Sequence, residues 1–242
     1  MSTTLQLPVR SVPVETDDVL YASSEVDWES ALPARADTIA WKLGQGAKRA
    51  LDIVGAVLGL IVLSPLFLAV SVLIVLDSGW PIFYVWRVVG ERGRRFTGFK
   101  FRTMVTDADG QKDALRAQNH MHGPVFKLVV DPRVTRVGGV LRKLSIDELP
   151  QLWSVLVADM SLVGPRPMFP QEFCDATPAQ RRKLAVRPGV TCLWQVSGRS
   201  NIRRFDDWVA LDLEYIRTWT VMQDIRILMR TLLAVLRCYG AH

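Results

Sequence analysis

The longest apolar run in the chain extends from Ile53 to Leu76, 24 consecutive residues without a formal charge. As a single helix it would reach about 36 Å at about 1.5 Å per residue, more than a hydrocarbon core of about 30 Å requires. Its length and its apolarity on every side set it apart from the one-sided stripe of a core helix. Ser64-Pro65 interrupts the run at its centre, leaving eleven residues on either side. A proline inside a helix lacks the N–H donor and crowds the carbonyl four residues back, here that of Ile61, at a cost of about 3 kcal/mol. The Ser64 hydroxyl can help satisfy the freed carbonyl. The pattern therefore predicts a broken helix, which either spans a bilayer or turns back as a re-entrant hairpin. Lys42, Lys48 and Arg49 precede it, and Arg87, Arg92, Arg94, Arg95 and Lys100 follow. The positive-inside tendency keeps both basic flanks on one side and so favours the re-entrant form.

Other stretches carry shorter patterns. Phe83 to Met104 alternates apolar and polar residues around Gly90 and Gly93, the signature of a β-hairpin. The polar stretch from Val105 to Asn119 is predicted as a helix. In Leu141–Pro167, the apolar positions Leu149, Leu152, Trp153 and Leu156 recur at helical spacing. Ser145 followed by Glu148 fits a capping box, while Pro150 suits a first turn that would make Asp147 the cap. Either start places Asp147 and Glu148 near the positive end of the helix, where carboxylates gain roughly 0.3–1 kcal/mol. Asp224 to Arg237 reads as a basic amphipathic helix with Arg226, Arg230 and Arg237 within about 40° of one another and Ile225, Leu228, Leu232 and Leu236 on an apolar side. Such a helix either packs on a core or lies at a headgroup boundary.

Composition sharpens the membrane expectation. Hydrophobic residues make up 49% of the 242, and the mean hydropathy is +0.16. The net charge of +6 is uneven: residues 1–40 hold two basic residues against seven acids, a net of −5, so the rest carries +11. That body suits lipid headgroups, nucleotide phosphates or nucleic acid, and charge does not choose among them. Cys174, Cys192 and Cys238 are too scattered for a disulfide framework or a metal motif. The expected organisation is a flexible acidic tail over 1–40, a membrane element over 41–80 and a cytosolic catalytic domain over 81–242.

Candidate chemistry concentrates in Leu141–Pro167. Arg142 and Lys143 lead into the adjacent carboxylates Asp147 and Glu148, and Asp159 and the rigid Pro165-Arg166-Pro167 follow. Spacing alone reads the acid pair first as a helix cap. Alternatively, one carboxylate attacks phosphorus while the other holds a divalent cation such as Mg²⁺, a hard ion that prefers oxygen ligands. Arg133, Arg136 and Arg142 suggest a phosphate-facing surface, because guanidinium groups bind phosphate oxygens bidentately.

LRKLSIDELPQL, DMSLVGPRP and RPGVTCLWQVSGRS (Arg187 to Ser200) together resemble the core motifs of the bacterial sugar transferases, the monotopic polyprenyl-phosphate sugar-1-phosphate transferases also called phosphoglycosyl transferases. The resemblance runs from about Lys48 to the C-terminal end. It includes the Ser64-Pro65 break of a re-entrant membrane helix, Lys48, Arg49 and Asp52 at that helix's start, and the Lys100-Phe101-Arg102 motif. This chain departs from the family at Trp86 and Val88, where glutamine and arginine are usual, and at Ala158 and Cys192, where glycine is usual.

The resemblance implies a helix-rich α/β or α+β catalytic domain held at one leaflet by a re-entrant helix and interfacial amphipathic helices. It implies transfer of a sugar 1-phosphate from a UDP-sugar to undecaprenyl phosphate at the cytoplasmic face of a bacterial inner membrane, as a first step toward an exopolysaccharide or related glycan. Asp147 would be the nucleophile and Glu148 the Mg²⁺ ligand. Lys100, Arg102, Arg142, Arg166 and Arg187 would bind substrate phosphates. The partners are the UDP-sugar, undecaprenyl phosphate and inner-membrane lipids, with no nucleic acid; homo-oligomerisation stays open. The competing readings are a non-catalytic membrane adaptor and a nucleic-acid-binding protein, the latter without a recognised motif.

Overall fold

In the computed structural model the described residues are 19, 22–197 and 202–236. Helices α1 (Ile39–Val62) and α2 (Ser64–Ser78) come first, then the hairpin of β1 (Phe83–Val89) and β2 (Arg95–Phe101). A long irregular segment leads to α3 (Arg136–Lys143), a 3-10 helix (Ile146–Gln151) and α4 (Leu152–Leu156). β3 (Ser161–Val163), α5 (Pro170–Asp175), α6 (Pro178–Arg181), β4 (Gly189–Thr191) and α7 (Leu193–Val196) follow, before the longer α8 (Phe205–Thr218) and α9 (Val221–Leu236). The architecture is mixed and helix-rich. β1 and β2 pair antiparallel, Trp86 opposite Gly98, whereas β3 and β4 form a short parallel pair.

α1 and α2 meet at Leu63 with a bend of 58°, and neither helix alone is long and apolar enough to cross a membrane. Pro65 falls in the first turn of α2, where its missing N–H is harmless. The Ser64 hydroxyl donates to the Ile61 carbonyl at 2.8 Å, as the sequence predicts. The two arms leave Val54, Leu58, Ile61, Val62, Leu68, Val72 and Leu76 more than half exposed.

The first half of α1 is instead anchored to the body. Lys48 Nζ lies 2.7 Å from the Asp224 carboxylate and donates to the Val163 carbonyl at 2.8 Å. Arg49 donates to the carbonyls of Val155 and Leu156, and Asp52 accepts from the Ser161 hydroxyl and the Leu162 N–H. Gly55 and Gly59 let the helix lie close: a methyl group at either would stand 2.6 or 2.8 Å from the side chains of Leu162 and Leu152.

Two sequence expectations are corrected here. Val105–Asn119 is a series of turns closed by i to i+3 hydrogen bonds with one 3-10 helix at Arg116–Gln118; its aspartates and Gly110 are poor helix formers. The stretch 1–40 contributes to the core: Val19, Ala22, Val26 and Ala31 are buried and Arg35 donates to the Trp219 carbonyl. Residues 1–18 lie outside the described residues.

α9 settles against the body through Asp224 and Ile227. A second face exposes Met222, Ile225, Met229, Leu232 and Leu233, bordered by exposed Arg226 and Arg230. Arg237 lies outside the described residues, as do Gly198, Arg199 and Ser200.

Candidate active site

The acid pair sits on the 3-10 helix, and the capping box does not form. Ser145 takes a left-handed conformation (φ 53°) with no side-chain cap, and Glu148 turns to Lys100. Pro150, inside this short helix, removes a donor and disfavours a regular α-helical start. The dipole argument for the carboxylates lapses with it, since six residues make little macrodipole.

Asp147 lies in the wall of a cavity of about 570 Å³. The hairpin supplies Tyr84, Trp86 and Lys100 to that wall, the irregular segment supplies Asp109, Lys112 and Phe126, and α3 supplies Arg142. α3 reaches the hairpin because Gly138 has no side chain: a methyl there would stand 2.1 Å from the Thr103 carbonyl oxygen. Arg142 Nε consequently donates to the Thr103 hydroxyl at 2.8 Å. Burial lowers the pKa of this guanidinium and the nearby Asp147 carboxylate opposes the change, so it stays a cation beside Asp147.

Lys100 Nζ is 2.9 Å from Glu148 Oε1 and 4.0 Å from the centre of the Trp86 ring. A charge-assisted pair over an aromatic face fixes the ammonium at two sides. Trp86, which departs from the family pattern, is therefore a wall of the cavity, and it also meets Phe169 edge to face. The hairpin has room for this indole because Gly98 lies opposite it.

The other predicted cations are placed differently. Arg102 is buried, and its guanidinium donates to the carbonyls of Ser78, Gly79, Pro81 and Met104. It thus ties the end of α2 to the hairpin while also lining the cavity. Arg166 pairs with Glu172 at 3.4 Å; Glu172 lines the cavity but Arg166 does not. Arg187 pairs with Glu91 at 3.4 Å and lines a separate recess of about 350 Å³ with Lys48, Arg49 and Arg92. Among the predicted residues, the cavity wall thus holds Asp147, Arg142, Lys100 and Arg102, with Glu148 paired to Lys100.

The wall also holds Asp131, Tyr84 and Asp109, which sequence reasoning had not assigned, and Arg133, which it had read as phosphate-facing. Arg133 grips Asp131 through two hydrogen bonds of 2.7 and 2.8 Å. Burial alone would raise the Asp131 pKa, but the bonds and charge of Arg133 hold it below the usual value. Tyr84 donates to Asp109, and burial together with that carboxylate raises the phenol's pKa. The Asp131-Pro132-Arg133 sequence was a readable signal for the first pair. Nothing local in sequence brings Tyr84 to Asp109.

Mg²⁺ characteristically binds through one or two carboxylates and completes its shell with water and substrate phosphates. Among the described residues no group of three potential ligands forms a closed cage. Glu148 is a carboxylate of the kind such an open site uses, and a metal there would share it with the Lys100 ammonium 2.9 Å away.

An acid pair flanked by cations, at an aromatic-walled cavity beside a bent apolar helix pair, suits a membrane-linked phosphotransfer protein. Residues 43–238 match the bacterial sugar transferase family, and the chain belongs to it. It is 47% identical over 195 residues to the galactosyl transferase CpsE of Streptococcus agalactiae, covering 81% of this chain and 43% of that protein. It is 41% identical over 204 residues to the exopolysaccharide production protein ExoY of Sinorhizobium fredii, covering 83% and 90%. The undecaprenyl-phosphate galactose phosphotransferase of Salmonella typhimurium is 38% identical over 248 residues, covering all of this chain and half of that protein. The chain thus spans less than half of the streptococcal relative and nine-tenths of the rhizobial one.

Proposed function

We propose that the protein transfers a sugar 1-phosphate from a UDP-sugar to undecaprenyl phosphate on the cytoplasmic face of a bacterial inner membrane. The carrying observation is Asp147 in the cavity wall with Arg142 and Lys100, beside Glu148. The printed functions of the relatives, which include undecaprenyl-phosphate galactose and glucose phosphotransferases, support the reaction class.

In this reading an Asp147 oxygen attacks the phosphorus that bears the sugar. The new O–P bond forms as the bond to the bridging oxygen breaks, and that oxygen leaves on UMP. A phosphate oxygen of the lipid then attacks the same phosphorus, breaks the bond to Asp147 and yields the lipid diphosphate sugar. Arg142 and Lys100 stabilise the charge that accumulates on the phosphoryl oxygens. Glu148 would hold Mg²⁺, which when bound neutralises diphosphate charge.

In this reading the exposed apolar residues of α1 and α2 enter one leaflet, and the 58° bend between the helices serves a re-entrant course. The exposed stripe of α9, with Arg226 and Arg230 beside it, suits the boundary of an anionic leaflet. Wild-type protein given donor alone should gain the mass of a phosphosugar and release one equivalent of UMP; undecaprenyl phosphate should restore turnover. Failure to release UMP from any UDP-sugar in a donor panel would favour the adaptor reading.

A further inference from the structure

Cations and aromatic rings alternate along the cavity wall. Lys100 lies over Trp86, Trp86 meets Phe169, and Lys112 Nζ stands 5.8 Å from the centres of both Phe169 and Phe126. Phe126 in turn lies 5.5 Å from the guanidinium of Arg133. Two of these three cations are matched by carboxylates, Lys100 by Glu148 at 2.9 Å and Arg133 by Asp131 at 2.7 Å.

Lys112 is different. Among the described residues no carboxylate lies within 4.0 Å of its ammonium, although the wall contains Asp109, Asp131, Asp147 and Glu172. Asp109, Asp131 and Glu172 are engaged by Tyr84, Arg133 and Arg166 respectively, and Asp147 lies near the Arg142 guanidinium. The two rings therefore hold a half-buried positive charge at the cavity without a matching anion. Cation–π attraction orients an ammonium but does not neutralise it, so the position favours an anionic ligand.

We infer that Lys112 binds a phosphate oxygen of one of the two phosphorylated substrates and positions it toward Asp147. The inference rests on the proposed transfer reaction and adds a residue from the irregular segment, outside the motifs that carry the family resemblance. Its ligand is a phosphate group, supplied either by the diphosphate of the donor or by the monophosphate of the lipid.

The test uses the full chain in detergent with Mg²⁺. UDP binding is measured calorimetrically, and KM is measured separately for the UDP-sugar and for undecaprenyl phosphate. Lys112→Met retains the apolar stem between the rings and removes the charge, whereas Lys112→Arg retains the charge. Loss of one charge-assisted hydrogen bond should cost about tenfold in affinity. A tenfold weaker UDP affinity and higher donor KM for the Met variant, recovered by Arg, would identify the donor diphosphate. The same shift confined to the lipid KM would identify the acceptor phosphate. Unchanged UDP affinity and unchanged KM for both substrates, in a wild type that releases UMP, would overturn the inference alone. A wild type that releases no UMP would overturn the transfer reading and this inference with it.

Discussion

The foot of α1 and the turn beyond α3 are built from the same kinds of residue. Lys48, Arg49 and Asp52 stand at the first; Arg142, Asp147 and Glu148 stand at the second. At the foot of α1 the charges end on other parts of the body: the Asp224 carboxylate, three backbone carbonyls, a serine hydroxyl and a backbone N–H. Asp224 is further held by the Tyr215 hydroxyl at 2.7 Å and the Trp219 indole at 3.0 Å. Burial and the Asp224 charge push the Tyr215 hydroxyl well above the usual phenol range, so it remains a donor. At the turn, Asp147 and Arg142 line the larger cavity of about 570 Å³, whereas the recess of about 350 Å³ beside Lys48, Arg49 and Asp52 is bordered by groups already engaged within the body. What distinguishes an anchoring cluster from a reacting one is therefore where the polar atoms end, not which residues supply them. Arg102 makes the same point within the cavity wall, since its guanidinium serves carbonyls.

The largest expected effect separates the clusters by activity. Asp147→Asn keeps the shape of the side chain and removes its nucleophilic charge, so turnover should fall by roughly 10³-fold or more. Its melting temperature should stay near that of wild type, because the carboxylate's proposed task is chemical. Sugar-transfer assays alongside thermal melts decide this, and near-normal turnover would remove Asp147 from the mechanism.

The second effect is on stability. Lys48 and Asp224 are 12% and 1% exposed, and Lys48→Met leaves that carboxylate without its ammonium. Breaking a buried pair from one side costs about 3–5 kcal/mol, which for a chain of this size lowers the melting temperature by roughly 10 °C. Activity per folded molecule at low temperature should change far less. A variant that melted normally but lost transfer would place Lys48 with the reacting group and collapse the distinction.

Much of the frame was readable because its signals are local. The Ser64-Pro65 break, the Ile61 carbonyl that Ser64 satisfies, and the hairpin around Gly90 and Gly93 all follow from residues a few positions apart. The acid pair was readable as a candidate through its motif, but its local conformation was not. Ser145 and Glu148 have capping-box spacing, and the nearby Lys100 ammonium draws Glu148 away from the backbone. Likewise, no periodicity foretells that Arg102 meets four carbonyls or that Arg187 falls in a different recess from Asp147. Those outcomes depend on which distant segments α1, α3 and the hairpin bring together.

The smallest effect concerns the two positions where this chain carries a side chain in place of the family's usual glycine. Ala158 follows α4 in the left-handed region at φ 71°, the position where a helix end commonly uses glycine. Cys192 has φ −149°, ordinary extended backbone, and its side chain is 2% exposed within the main core cluster. A left-handed conformation costs an L-residue roughly 1–2 kcal/mol, whereas glycine's greater freedom in the unfolded chain returns about 0.4–1 kcal/mol of that. Ala158→Gly should therefore stabilise the protein by roughly 0.5–1 kcal/mol, a rise of about 1–4 °C in melting temperature. Cys192→Gly should act in the opposite direction, because it relieves no strain and deletes a buried side chain, at a cost of about 1–3 kcal/mol. Thermal melts of the two single variants would show opposite signs. A fall in melting temperature for Ala158→Gly would mean that the methyl group's contacts outweigh the strain of its backbone.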